Sequence, residues 1–172
     1  MKKLISVLCL LTLIFVLSSY SAAGDFGEEA HVYRGIYFGM SVKEFHENLR
    51  SDEKMELSVG IPEIEIEGTI YNIFALYEDD KLYEIYFESP SYIANYYVNK
   101  RLAELSQLIE AEYGEADAVN DFEISEVESE ILWSKEWERG SKQIDLGVGK
   151  FETENYVSLH MLYLPIYEEL TE

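Results

Sequence analysis

Carboxylates are the residues of this 172-residue chain best suited to binding chemistry, since Asp and Glu number 34 against 13 Lys and Arg. Glu63, Glu65 and Glu67 alternate with Ile64 and Ile66. This alternation predicts a strand with the three glutamates on one face, successive ones about 7 Å apart. Such a strip could bind a divalent cation or a cationic peptide, although it is also typical of an ordinary solvated sheet face.

Histidine and cysteine do not form a recognisable metal or catalytic pattern. His31, His46 and His160 lack the i, i+4 spacing of a zinc site on a helix. Glu78-Asp79-Asp80 lacks the residue order of a calcium-binding loop and is typical of a hairpin turn. We therefore interpret the histidines as unrelated residues and expect no metal, no other cofactor and no catalytic residue.

Aromatic residues make up 14% of the chain, which is high for a plain domain. Tyr92, Tyr96 and Tyr97 cluster just before an apolar helical stripe, and Trp133 and Trp137 are predicted to share one face of a strand. Tyr and Trp offer large contact areas with a hydrogen-bonding tip, so these residues are candidates for a binding face. Core packing is the alternative, particularly for the tryptophans.

The first 23 residues have the layout of a secretory signal peptide. Met1-Lys2-Lys3 is basic, residues 4–17 are mostly apolar, and Ser21-Ala22-Ala23 supplies the small residues of a cleavage site. A permanent anchor is the alternative, but the apolar run is shorter than a membrane-spanning helix needs. We expect a mature domain of residues 24–172, periplasmic or secreted, without a stable membrane anchor. Cleavage would also remove Cys9, the single cysteine, and with it any thiol chemistry.

The net charge of −21 excludes whole classes of partner. Nucleic acid and anionic lipid would both repel so acidic a chain. The partner expected from charge is therefore a cationic protein, a cationic peptide or a divalent cation.

The elements that must position these residues begin with a short strand at 32–38. Ser41 and Glu44 have the spacing of a capping box, which predicts a helix at 42–50. Strand candidates with apolar alternation follow at 54–60, at 62–77 with an interruption at Gly68, and at 81–88.

The second half is predicted to begin with a long helix at 90–113. Ser89 suits the N-cap and Pro90 the first helical position, while Gly114 supplies the stop. Residues 115–128 are predicted to be a loop. Strands are predicted at 130–138, 142–150 and 156–164, with Pro165 ending the last and an acidic tail following it. Gly147 and Gly149 lie inside the second of these strands, where glycine permits a close approach of another backbone or a bulge.

This order predicts an α+β fold in which one short and one long helix cover one face of an antiparallel sheet of about six strands. It also suggests a tandem helix-plus-meander repeat within a single domain, with halves at 32–88 and 89–164.

The segment Gly39-Met40-Ser41-Val42-Lys43-Glu44-Phe45, downstream of an export signal and upstream of an antiparallel sheet, resembles the SmpA/BamE-like and beta-lactamase-inhibitor-like envelope modules. The resemblance covers about residues 35–88, and Tyr113-Gly114 resembles a helix end of the same kind in the second half. It implies a non-catalytic, protein-binding role. The chain lacks the lipidated cysteine of the first type and the disulfides of the second.

Our leading hypothesis is an exported binding module whose acidic, aromatic surface recognises a cationic partner. The candidate binding residues are Glu63, Glu65, Glu67, Tyr92, Tyr96, Trp133 and Trp137. An envelope hydrolase of glycosidase type would need a suitably placed carboxylate pair, and an assembly factor for envelope complexes is a third option. A deep cleft would favour the hydrolase, whereas a flat aromatic and acidic sheet would favour the binding module.

Overall fold

The structure is a computed structural model that describes residues 30–92, 94–128 and 130–171. The predicted export signal lies outside the described residues. Within these ranges the helices are α1 (Val42–Ser51), α2 (Asn95–Tyr113) and α3 (Leu164–Thr171), with a 3₁₀ turn at Ile124–Glu126. None of these helices is long and apolar enough to cross a membrane. The strands are β1 (His31–Tyr33), β2 (Ile36–Tyr37), β3 (Met55–Ser58), β4 (Ile61–Ile66), β5 (Thr69–Glu78), β6 (Lys81–Glu88), β7 (Ala118–Val119), β8 (Leu132–Arg139), β9 (Lys142–Phe151) and β10 (Glu154–Tyr163).

Strands β3 to β10 form one antiparallel sheet in the order β3-β4-β5-β6-β10-β9-β8-β7, and β1 and β2 form a separate hairpin. A helix precedes each four-strand meander, and the last strands of the two meanders, β6 and β10, pair at the centre. The predicted α+β class is confirmed. The large sheet has eight strands rather than six because residues 62–77 divide at the Glu67–Gly68 turn and Ala118–Val119 adds an edge strand.

Helix α1 begins where its capping box predicts. The Ser41 hydroxyl accepts a hydrogen bond from the Glu44 N–H at 3.2 Å, and the Ser41 N–H donates to the Glu44 carboxylate at 2.7 Å. These bonds involve residues within one turn, which is why the sequence alone predicts them.

Helix α2 begins at Asn95, so the predicted start at Ser89-Pro90 is wrong. The Ser89 N–H donates to the Val157 carbonyl, and the Ser89 hydroxyl accepts from the Val157 N–H, both at 2.9 Å. Ser89 therefore continues the pairing with β10 and is not available to cap a helix. The predicted stop is confirmed, since Gly114 follows the helix with a φ of +83°.

Three other sequence predictions need correction. The predicted strand at 32–38 is a hairpin, because Arg34 and Gly35 adopt positive φ angles and reverse the chain. The predicted loop at 115–128 contains β7 and the 3₁₀ turn. Pro165 does not end the ordered chain before an acidic tail but lies in the first turn of α3. Proline is tolerated there because an N–H in the first turn of a helix has no helical partner.

The sheet has two faces. Helices α1 and α2 pack on the first, which we call the helix face; it is lined by Ile73, Ile85, Phe87, Trp137, Ile144, Leu146, Val157 and Leu159, all buried in the core. The opposite side, which we call the outer face, presents the alternate residues of the same strands. These include Phe74, Tyr86, Glu88, Trp133, Asp145, Ser158 and His160.

Candidate functional site

The outer face brings together residues from five strands in two adjacent rows. One row consists of Phe74, Tyr86, His160, Asp145 and Glu136. The other consists of Asn72, Glu88, Ser158, Gly147 and Trp133. The two rows lie about 7 Å apart, because they are separated by two residues along each strand.

His160 is at the centre of the first row and is bonded on both sides. Its Nδ1 lies 2.9 Å from Asp145 Oδ2, and its Nε2 lies 3.0 Å from Glu84 Oε1. The Tyr86 hydroxyl donates to the same Glu84 oxygen at 2.6 Å, and the Gln143 amide donates to Asp145 at 2.9 Å. An ionised carboxylate can only accept a hydrogen bond, so any ring nitrogen of His160 that carries a proton donates to the carboxylate it faces.

Aromatic rings enclose this histidine. The Tyr86 ring stacks on it with centroids 4.4 Å apart and planes 19° apart, and Trp133 lies against it at 5.8 Å. Burial and the neighbouring Glu84 raise the pKa of Tyr86, which keeps its phenol protonated as a hydrogen-bond donor.

Gly147 and Gly149 allow two further rings to lie against the strand. A Cβ atom at Gly147 would be 2.7 Å from Trp133 Cε3, and one at Gly149 would be 2.4 Å from Tyr156 Cζ. At Gly147 the nearest group is the Leu132 carbonyl oxygen, at 2.5 Å from such a Cβ, so the close backbone approach predicted there is confirmed, whereas at Gly149 the approaching group is the Tyr156 side chain. Together with Tyr86, Trp133 and Tyr156 cover the middle of the outer face with rings.

Carboxylates surround these rings. Those at outer-face positions are Glu56, Glu63, Glu65, Glu78, Glu84, Glu88, Glu136, Glu138, Asp145 and Glu154. In the described strands and the residues adjoining them, the Lys and Arg side chains at such positions are Lys54 and Lys81, and Lys54 is paired with Glu65 at 2.6 Å. The outer face is therefore strongly acidic.

The predicted strip of three glutamates is only partly formed. Glu63 and Glu65 lie on the outer face of β4, where they line a surface recess of about 160 Å³ together with Glu56 and Ile70. Glu67 follows the end of the strand and has a φ of +48°, so the prediction that it shares their face is wrong.

Trp133 and Trp137 lie on opposite faces, and the prediction that they share one is wrong. A bulge between Trp133 and Lys135 reverses the alternation of β8. Trp133 consequently belongs to the outer face. Trp137 is fully buried on the helix face and donates its indole N–H to the Gly114 carbonyl at 3.0 Å. Trp137 is thus a core residue and not part of a binding surface.

The tyrosine cluster is separate from Trp133. Tyr96 and Tyr97 are exposed in the first turn of α2, and Tyr97 stacks on Tyr92 with centroids 6.1 Å apart. Since α2 packs on the helix face, the structure does not bring these tyrosines together with the outer-face rings.

His160 is the important residue that the sequence interpretation missed. The three histidines do lie on different elements, but His160 belongs to a carboxylate network. A signal was present: Ser158 and His160 in β10, and Gln143 and Asp145 in β9, alternate with apolar residues. Their pairing could not be inferred, because it depends on which strands are neighbours.

Both ring nitrogens of His160 already face carboxylates, so this network orients its own members and leaves no nitrogen to coordinate a metal. In the described ranges no group of three His, Cys, Asp or Glu side chains is arranged to hold a metal ion. Comparison of the chain with protein-family models, with curated proteins and with solved structures found no match.

Proposed function

We propose that this protein is an exported, non-catalytic binding module whose outer face recognises a cationic segment of another protein. The observation that supports this most directly is the ring-covered centre of the outer face, surrounded by carboxylates. This combination supplies both contact area and charge complementarity for a basic partner.

The rings supply the contact area. Tyr86, Trp133 and Tyr156 are half-buried by their own sheet, and Phe74 is 41% exposed beside them. Aromatic side chains held in fixed positions lose little conformational freedom when a partner covers them. They are therefore suitable anchors for binding.

The carboxylates supply the charge complementarity. Three basic residues of β8 and β9 point to the helix face, where Lys135 pairs with Glu110, Arg139 with Asp117, and Lys142 donates to the His31 carbonyl. Their charges consequently do not neutralise the outer-face carboxylates. Attraction to a basic partner should weaken as the Debye length falls from about 10 Å at 0.1 M salt to about 3 Å at 1 M.

Binding accounts for the His160 network better than hydrolysis does. A glycosidase needs one carboxylate free to donate a proton and another free to attack or activate water. Glu84 and Asp145 each bond a nitrogen of His160, so both are held in place by the protein. An assembly factor for envelope complexes would use the same outer face, and it stays an open biological role for the module.

Site-specific photo-crosslinking tests the proposal. A benzoylphenylalanine at Phe74 probes the outer face, and one at Tyr97, which is 53% exposed in the first turn of α2, is the matched control. In cells that produce the protein, position 74 should crosslink a defined partner whose captured peptide is rich in Lys or Arg. Equal capture from both positions, or capture of an acidic peptide at position 74, would contradict the proposal.

Export is tested separately. The signal-peptide prediction expects the mature chain to start at Gly24 or within a residue or two of it. N-terminal sequencing of protein recovered from the envelope or the medium measures this directly. An intact Met1 in a membrane fraction would show that the segment is an anchor.

A further inference from the structure

We propose that Glu88 and Ser158 form a seat for one primary ammonium group, the side chain of a lysine in the partner. This inference rests on the proposed function and identifies the position on the outer face that would select the partner. It is supported by two unpartnered polar groups that face each other across neighbouring strands.

Ser158 is the first of these groups. The residue is 0% exposed, and its Oγ has no hydrogen-bond partner among the described residues. Most buried side-chain polar atoms in proteins are bonded, so an unbonded hydroxyl requires an explanation. Its neighbour His160, two residues along the same strand face, makes two hydrogen bonds.

Glu88 is the second group and lies directly opposite Ser158 on β6. It is half-buried, and in the described part of the chain it makes no ion pair or hydrogen bond through its carboxylate. Burial raises the pKa of Glu88, and its charge adds to the burial that raises the pKa of Tyr156. The carboxylate has no positively charged partner among the described residues.

The other side of Ser158 is bounded by an aromatic ring. Gly147 pairs with Ser158 on β9, and the Trp133 ring lies against Gly147. Along this row a carboxylate, a hydroxyl and an indole ring follow one another. An ammonium group has three donors, so it can bond Glu88 and Ser158 and still approach the ring face.

The adjacent row shows how a nitrogen donor is bound on this face. There His160 lies between Tyr86 on one side and Asp145 on the other, and it bonds two carboxylates. In the row of Glu88, the equivalent central residue is Ser158, which is neutral. A partner's lysine would supply the positive charge that this row does not contain.

Fluorescence titration tests the seat. The probe is the peptide acetyl-Gly-Gly-Lys-Gly-Gly-amide, and the control peptide has Nε-acetyllysine at its centre. Trp133 lies against Gly147, which pairs with Ser158, so its fluorescence should respond when the seat is occupied, whereas the buried core residue Trp137 gives a constant background. We expect a saturable signal with the lysine peptide and none with the acetyllysine peptide.

Matched variants locate the binding. Glu88→Gln should weaken binding of the lysine peptide at least tenfold, and Ser158→Ala should weaken it several-fold. Glu63→Gln removes the same charge elsewhere on the outer face and should weaken binding of this single-lysine peptide much less than Glu88→Gln does. Circular dichroism and thermal melting check that each variant is folded. Glu88→Asp is a second variant, which keeps the negative charge but places the carboxylate closer to the backbone.

Three outcomes would overturn the seat. If Glu88→Gln and Glu63→Gln weaken binding equally, attraction is general to the acidic face. If an arginine peptide binds as well as the lysine peptide, the site does not select an ammonium group. If the lysine peptide does not bind at all while position 74 still crosslinks a basic segment, the seat is wrong and the proposed function stands.

Discussion

The two faces of the sheet use charge differently, although the same strands contribute to both. On the helix face, Lys135 donates to Glu110 at 2.6 Å and to Ser106 at 2.8 Å. On that face Arg139 also donates to the carbonyls of Tyr113 and Glu115, both at 2.7 Å. These two cations connect the sheet to α2 and to the segment that follows it.

On the outer face, by contrast, His160 is the residue that bonds two carboxylates, and other acidic side chains remain around it. The comparison teaches that the acidity of the chain is not spread evenly. The helix face uses most basic residues of the second half for folding, which leaves the outer face acidic. The ion pairs to the helices thus lie on one side of the sheet, and the proposed recognition surface lies on the other.

The largest expected effect separates the two tryptophans. Trp137→Ala removes a fully buried ring and its hydrogen bond to Gly114, so it should lower the free energy of unfolding by about 3–5 kcal/mol. Trp133→Ala removes a half-buried ring from the outer face and should cost about half as much or less. Urea titrations of both variants measure this. Equal losses of unfolding free energy in the two variants would mean that the two faces are packed equally tightly.

The next largest effect concerns the histidine of the outer face. His160→Ala leaves Glu84 and Asp145 without the group that bonds both, and breaking such a buried arrangement should cost about 3 kcal/mol. Adding Asp145→Asn to this variant removes one of the two carboxylate charges and should recover part of the loss. If urea titration finds no recovery in the double variant, the loss in His160→Ala is not caused by repulsion between the two carboxylates.

A smaller effect tests the rings that lie against β9. Gly149→Ala places a Cβ atom against the Tyr156 ring, with the nearest ring atom at 2.4 Å, and should cost about 1–3 kcal/mol. The atoms nearest to this Cβ all belong to Tyr156, so the cost should nearly vanish in a Tyr156→Ala background. Thermal melting of the four-member cycle measures the coupling. Additive effects would contradict the contact.

The smallest effect is a gain in stability. Burial raises the pKa of Glu88 above its ordinary value of 4.5, so the folded protein holds this proton at a pH where the unfolded chain has released it. Stability from this group therefore falls as pH rises through that range. Glu88→Gln should melt like the wild type near pH 3 and be more stable at pH 7, by no more than about 1 kcal/mol. Glu63→Gln is the control for general charge removal, and an equal gain there would contradict the explanation.

Much of the fold could be predicted because it depends on neighbours in sequence. The capping box at Ser41, the strand at 81–88 and the stop at Gly114 all appear where the sequence places them. Each depends on hydrogen bonds or backbone angles within a few residues. Ser89-Pro90 failed for the opposite reason, since its partner Val157 is 68 residues away and its bonds to β10 override the local capping preference.

The candidate site was predicted less well because the face of a residue is a property of strand pairing. A bulge next to Trp133 places Trp137 on the opposite face of the sheet, in the core. A turn at Glu67 ends the strand, so Glu67 does not share the face of Glu63 and Glu65. Neither the bulge nor the turn can be predicted from the alternation of apolar and polar residues.

By itself, the sequence determined the acidity of the chain, its α+β class and the ends of its best-defined local elements, because composition, caps and turns act over short distances. Only the tertiary structure decided which acidic groups meet. His160 bonds Glu84 across 76 residues and Asp145 across 15, and it does so because β10 lies between β6 and β9. The order and register of strands are set by packing of the whole sheet against its helices, so no local pattern specifies the outer face.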